Sequence, residues 1–162
     1  MTALRRFTGV SERQLRDIIS DLLRRSTQHE LVLQTAADIV AASPDEPVTA
    51  ICAWVRANIP YVSDPDDAEA ISAPWVQIER VRSSGDFSVG SDCDDHAILT
   101  AALLLAAGYD ARVVIVAQSS HELDHAFAAV NADGVWLDVD TTTNWPVGVA
   151  TNPVRRIEIG PG

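Results

Sequence analysis

The chain has 162 residues, 47 % of them hydrophobic, which is enough for one buried core and too little for two ordinary domains. Its formal charge of -11 sets up a negative field that repels phosphate backbones and anionic lipid, so nucleic acid and membrane surfaces are poor partners and a basic or neutral peptide is a better one. No stretch reaches the roughly 20 apolar residues that span a bilayer, and Met1 to Val10 lacks the apolar core of a signal peptide, so the expected location is the cytoplasm.

Ser11 is placed to cap a helix in which Leu15, Ile18, Ile19, Leu22 and Leu23 recur at helical spacing, with Arg13, Arg16, Asp17 and Asp21 on the other face, ending near Arg25. A second helix runs from about Glu30 to Ala42 and is broken by Ser43-Pro44-Asp45-Glu46-Pro47. A third spans Val48 to Asn58 and is stopped by Pro60. From Ser63 to Gly90 the chain is rich in Asp, Pro, Ser and Gly around an apolar island at Trp75 to Val81, which predicts a long excursion carrying one short helix. The helix from Asp94 to Ala107 is apolar nearly all round and belongs at the centre of the fold, with Gly108 to end it.

Beyond Gly108 the period changes. Ala111 to Ala117 is a buried strand, and His125 to Val130 and Val135 to Asp140 are two more, joined by Asn131-Ala132-Asp133-Gly134 in a hairpin. The tail after Trp145 holds Pro146, Pro153 and Pro161 around an edge strand, Val154 to Ile159. The fold class is α+β: helices first, then an antiparallel sheet packed on the helix that starts at Cys93. The expected organisation is a single domain, with N-terminal helices over 1–47, a catalytic core over 48–145 and a C-terminal tail over 146–162.

Two cysteines are present, Cys52 in an apolar helical pattern and Cys93 in an acidic turn, so a disulfide framework is not expected. With no CxxC, no HExxH and no zinc set among His29, His96, His121 and His125, neither a metal nor a cofactor is expected. Asp92, Asp94 and Asp95, and likewise Asp64-Pro65-Asp66-Asp67, offer oxygen ligands for calcium but lack the spacing and glycine of an EF-hand loop, so both read as solvated acidic turns.

Cys93 is the candidate nucleophile. It falls on the first turn of the central helix, where unpaired backbone N–H groups and the positive end of the macrodipole favour a thiolate and can donate to an oxyanion. Its three acidic neighbours oppose ionisation, so activation should depend on a histidine. The hairpin supplies one. A four-residue loop over Asn131 to Gly134 sets His125 opposite Asp140, whereas a tighter Asp133-Gly134 turn slides the register by two and makes them diagonal neighbours. Asp138 shares the strand face with Asp140 and competes with it. His96 reads as a partly exposed helical histidine and His121 as a loop residue able to touch substrate. Trp75 and Gln77 in the upstream excursion are the other candidate substrate contacts, each reading more readily as a packing or surface residue, and the second oxyanion donor is not identifiable from the sequence.

These residues lie in an ordered set: Trp54-Val55-Arg56-Ala57-Asn58-Ile59-Pro60-Tyr61, Gly90-Ser91-Asp92-Cys93-Asp94-Asp95-His96-Ala97, Leu105 to Arg112, His125-Ala126-Phe127, and Trp136 to Thr141. The set resembles the transglutaminase-like superfamily, a relative of papain and of arylamine N-acetyltransferases. The resemblance implies a papain-like fold, a triad carried over to Cys93, His125 and Asp140, and cofactor-free acyl transfer from an amide of a protein or peptide through a thioester. The Asp-Cys-Asp-Asp form is similar to the stand-alone bacterial and phage-encoded branch, some of whose members lie among virion assembly genes. That points to peptidase or amidase hydrolysis at least as much as to a cross-linking transamidase; a non-enzymatic structural or assembly module on the same fold is the alternative from another class. Two departures are Ser91, inserted where the family has Gly directly before Asp-Cys, and Thr141-Thr142 in place of Pro-Thr.

Overall fold

Five helices precede a four-stranded antiparallel sheet in the computed structural model, which describes residues 11–62, 71–83, 91–119 and 122–162. In α1 (Glu12–Ser26) the Ser11 hydroxyl accepts the Gln14 N–H at 3.0 Å and the Gln14 side chain accepts the Ser11 N–H at 2.8 Å, a reciprocal cap that fixes the helix start. Its inner face buries Leu15, Ile19 and Leu23. Helix α2 (Glu30–Ala42) buries Val32, Ala36 and Ile39, and α3 (Pro47–Asn58) buries Ile51, Cys52 and Val55. Pro47 sits in the first turn of α3, where a missing N–H costs nothing. The apolar island upstream of Cys93 forms α4 (Pro74–Ser83), with Gln77 and Ile78 buried.

Helix α5 (Cys93–Ala106) is the axis of the core: every residue from Cys93 to Leu104 is buried. It ends where Gly108, at φ 97°, lets its own N–H reach the Leu105 carbonyl and the Tyr109 N–H reach Leu104, both at 3.0 Å. The sheet order is β3-β2-β1-β4, with β1 Asp110–Ala117, β2 His125–Ala132, β3 Val135–Val139 and β4 Arg155–Ile159. One face, including Val113, Ile115, Ala128, Val130 and Ile157, joins the core cluster with α5. The other buries Val114, Val116, Phe127 and Ala129 in a smaller cluster, with the Arg156 guanidinium 5.7 Å from the Phe127 ring. Burial on both faces explains why β1 and β2 read as continuous apolar runs rather than alternating ones. Part of the C-terminal tail is thereby a structural strand, since β4 pairs along β1 from Val113↔Ile159 to Ala117↔Arg155.

The hairpin register corrects the four-residue-loop arrangement. Val130 pairs with Leu137 and Ala132 with Val135, so the turn has two residues, Asp133 at φ 54° and Gly134 at φ 86°. Positive φ at both positions gives a turn whose twist matches the flanking strands, and the Asn131 side chain accepts the Gly134 N–H at 2.9 Å, which removes Asn131 and Ala132 from the loop and adds them to β2. His125 and Asp140 are therefore diagonal neighbours. Among the described residues no helix is long and apolar enough to cross a membrane.

Candidate active site

The N-terminus of α5 and the open end of the β2–β3 hairpin meet on one side of the molecule. Cys93 is the first residue of α5, directly after the N-cap Asp92, so the orphan N–H groups of the first turn surround it. The segment leading into it is pinned by an isolated antiparallel bridge in which the Val62 N–H donates to the Ser91 carbonyl at 3.1 Å. Cys93 and Cys52 are equally buried, 2 % and 1 % exposed, so access does not distinguish them. Their surroundings do. Burial among apolar groups pushes the Cys52 thiol up to about 12, opposed only in part by the charge of Arg56 and by a backbone hydrogen bond, which makes Cys52 an inert core residue.

The acidic residues around Cys93 are not the solvated turn that their composition predicts: Asp92, Asp94 and Asp95 are all buried. They sit at the inward start of α5, where the helix dipole favours negative charge. Asp95 accepts the Ser72 N–H on Oδ1 at 2.8 Å and the Asp92 N–H on Oδ2 at 3.3 Å. One ligand oxygen from each of the three lies within 4.8 Å of the others, an oxygen-only donor set that suits a hard cation better than zinc. The second acidic stretch, Asp64 to Asp67, lies outside the described residues.

On the hairpin, His125 opens β2 and Asp140 immediately follows β3. Their side chains are joined, His125 Nε2 to Asp140 Oδ2, at 2.7 Å. The other oxygen of Asp140 accepts the Thr142 N–H at 3.0 Å and the Thr142 hydroxyl at 2.6 Å. Burial pushes the Asp140 carboxyl up, but the hydrogen bond and charge of His125 and the two Thr142 donors outweigh it, so the net shift is downward and the group stays ionised. The competing Asp138 is turned to a different partner, Arg156, whose guanidinium grips it through two bonds of 2.8 and 2.9 Å.

His96 departs from expectation. It is 3 % exposed, not partly exposed, because it lies on the inward side of α5 one turn after Cys93. Its Nδ1 lies 3.0 Å from the Thr141 hydroxyl, which ties α5 to the residue next to Asp140. Burial lowers its pKa to about 4, against opposing contributions from the Pro60 carbonyl, the Asp140 charge and the Ile59 carbonyl.

The expected substrate contacts are placed apart. Gln77 is fully buried and its amide donates to the carbonyls of Asp95 at 3.1 Å and Ser72 at 3.4 Å, so its donors hold α4 to α5. Trp75 stacks on His29, ring centroids 5.0 Å apart, and lines a cavity of about 300 Å³ between α4 and the start of α2 that none of Cys93, His125 and Asp140 lines. His121 lies outside the described residues. Composition and spacing gave no sign of Arg56, whose Nη2 donates to the carbonyls of Asp140 at 3.0 Å and Trp145 at 2.6 Å across more than 80 residues of chain.

The fold has solved counterparts. The chain superposes on a candidate cysteine protease of Cytophaga hutchinsonii with a TM-score of 0.54 at 21 % identity, covering 80 % of this chain and 46 % of that one. A candidate protease of Parabacteroides distasonis gives 0.57 at 14 % identity over 91 % of this chain and 31 % of that one, and LapG of Legionella pneumophila gives 0.53 at 13 % over 86 % and 81 %. The chain thus spans less than half the length of the first two. No curated protein matches it. The sequence matches the family model of the transglutaminase-like superfamily over residues 33–141, more than half of the chain, from α2 to the residue after Asp140. The chain belongs to the transglutaminase-like superfamily.

Proposed function

We propose that Cys93, His125 and Asp140 form a catalytic triad that transfers the acyl group of a protein or peptide amide through a thioester, with water as the principal acceptor. The observation that carries this reading is the 2.7 Å bond between His125 Nε2 and the buried, ionised Asp140, joined to the first turn of α5 by the neighbouring Thr141–His96 contact. Asp140 occupies Nε2, which leaves Nδ1 to exchange a proton with Cys93. Nδ1 takes the thiol proton, and the thiolate attacks the carbonyl carbon. The tetrahedral oxyanion is met by N–H groups of the α5 start, and the C–N bond then breaks as the imidazolium protonates the leaving amine. Water, deprotonated by Nδ1, releases the acid from the thioester. Because buried carboxylates flank Cys93, its ionisation rests on the imidazolium rather than on the helix dipole alone. The reading places this chemistry in the cytoplasm, on substrates that a chain of charge -11 does not repel.

The test compares the protein with Cys93→Ala on a mixture of unfolded proteins, reading new amino termini by mass spectrometry, and on a glutamine-bearing protein with a fluorescent primary amine. New termini, or glutamine converted to glutamate, above the variant's background support hydrolysis. Amine incorporation in their place assigns the chain to cross-linking. Neither signal above Cys93→Ala overturns acyl transfer and leaves an assembly module on the same fold.

A further inference from the structure

Asp140 lies just past the last residue of β3, so the sheet ladder that fixes Val139 does not fix it. Something else must hold the carboxylate within 2.7 Å of His125, because a group displaced by even an ångström no longer orients the imidazole. The turn that carries it is gripped from two helices. Arg56, in the last turn of α3, uses one nitrogen to bond the carbonyls at both ends of the turn, Asp140 and Trp145. His96, one turn into α5, meets the Thr141 hydroxyl at 3.0 Å. Nδ1 is thus the ring nitrogen that meets the turn, while Nε2 is buried on the other side of the ring. Within the turn, the Thr143 hydroxyl adds a bond to the Asp140 carbonyl at 3.0 Å.

We infer that Arg56 and His96 are positioning residues: together they clamp the turn 140–145 against the start of α5, and so set the Asp140 carboxylate on His125 and the pair on the nucleophile's helix. Neither touches the reacting atoms. The clamp joins α3, α5 and the hairpin, so a shift of α5 relative to the sheet moves nucleophile and acid together. Arg56 suits this task because one guanidinium nitrogen offers two hydrogens at fixed angles, enough for two carbonyls. His96 suits it because it is buried and sets a ring nitrogen within hydrogen-bond reach of a hydroxyl that can either donate or accept.

The inference rests on the proposed triad, and its test separates the two. Variants Arg56→Met, His96→Leu and the milder Thr141→Val remove the clamping bonds; Arg56→Lys and His96→Asn keep a donor or acceptor at the same place. For each, the rate of Cys93 carboxamidomethylation by iodoacetamide is followed from pH 5 to 9, alongside the melting temperature and a His125→Ala control. The expected result is a rate at neutral pH about tenfold lower in the first set, with the pH midpoint moved upward, and recovery to within about threefold of wild type in the conservative pair. Should the bulkier changes prevent folding, Thr141→Val carries the comparison. Folded variants with a lowered melting temperature but an unchanged rate and midpoint would show a purely structural role and overturn the clamp. If His125→Ala also leaves the rate unchanged, the triad itself fails and takes the clamp with it; if His125→Ala slows labelling while the clamp variants do not, the clamp alone fails.

Discussion

Replacing Cys93 by alanine is expected to lower turnover at least ~10³-fold while leaving the protein folded. The size of the loss follows from the chemistry: without the sulfur no thioester forms, and what remains is binding plus the N–H donors of the α5 start. The small effect on stability follows from position. Cys93 is the first residue of α5, where alanine is accepted, and removing one buried heavy atom costs on the order of 1 kcal/mol, a few degrees in melting temperature for a chain of this size. Cys52→Ala is the matched control. It deletes the same atom from an equally buried thiol and should leave turnover within about twofold of wild type. A Cys93→Ala protein that retains more than a tenth of wild-type turnover contradicts the mechanism.

The second large effect is at Asp140, where activity and stability should fall together. Asp140→Ala leaves the Thr142 N–H, the Thr142 hydroxyl and the His125 ring without their acceptor in a buried setting, a loss of roughly 2–4 kcal/mol, and turnover should drop about 10²- to 10³-fold. Asp140→Asn keeps one acceptor oxygen but turns an amide NH2 on either the His125 ring or the Thr142 donors and removes the charge that stabilises the imidazolium, so its turnover should fall at least as far, on the order of 10³-fold. The neighbouring Asp138→Asn perturbs only the Arg156 grip on the outer face and should leave turnover within about threefold, with a stability change below ~1 kcal/mol at that partly exposed site. The pH dependence of stability has a definite sign. The folded pKa of His96, about 4, lies below its ordinary 6.5, so the unfolded chain binds more protons between those values and stability falls as pH drops from 6.5 towards 4. Asp140, held below its ordinary 3.8, contributes stability that is present above that value and lost as pH falls through its folded pKa. Melting temperatures measured from pH 7 to 3 should therefore decline from about 6.5 downward, and His96→Asn should flatten the upper part of that decline.

Most of the fold was legible because it is written in local periodicity. The helices α1, α2 and α3 follow apolar spacing and Ser, Pro caps, α5 follows an unbroken apolar run closed by Gly108, and the strands are short apolar runs, rich in Val and Ala, bounded by turn residues. The hairpin turn was ambiguous by two residues because Asn131-Ala132-Asp133-Gly134 supports both loop lengths. Positive φ at Asp133 and Gly134 decides between them, and only the backbone shows it. Burial of charged groups was not legible. Asp94, Asp95 and His96 are polar letters on a helix whose inward face is set by tertiary packing, and a carboxylate that accepts backbone N–H groups, as Asp95 does, looks in sequence like one solvated by water. The role of Gln77 was open in the same way, since an amide at that place can serve a ligand or the backbone of the next helix, and here its donors go to Ser72 and Asp95. Arg56 stands in the ordered set around Trp54, but nothing local marks its role, because its partners lie more than 80 residues away.

The central claim is that Cys93 is a thiol activated by His125. It is tested most directly by alkylating the folded protein with iodoacetamide at pH 7 and counting label on Cys93 and Cys52 by peptide mass. The two thiols are equally buried, so a difference in rate reports activation rather than access. Activation predicts that Cys93 reacts at least ~10-fold faster than Cys52 and that His125→Ala removes most of the advantage. Equal labelling of the two cysteines, or a Cys93 rate indifferent to His125→Ala, would contradict it.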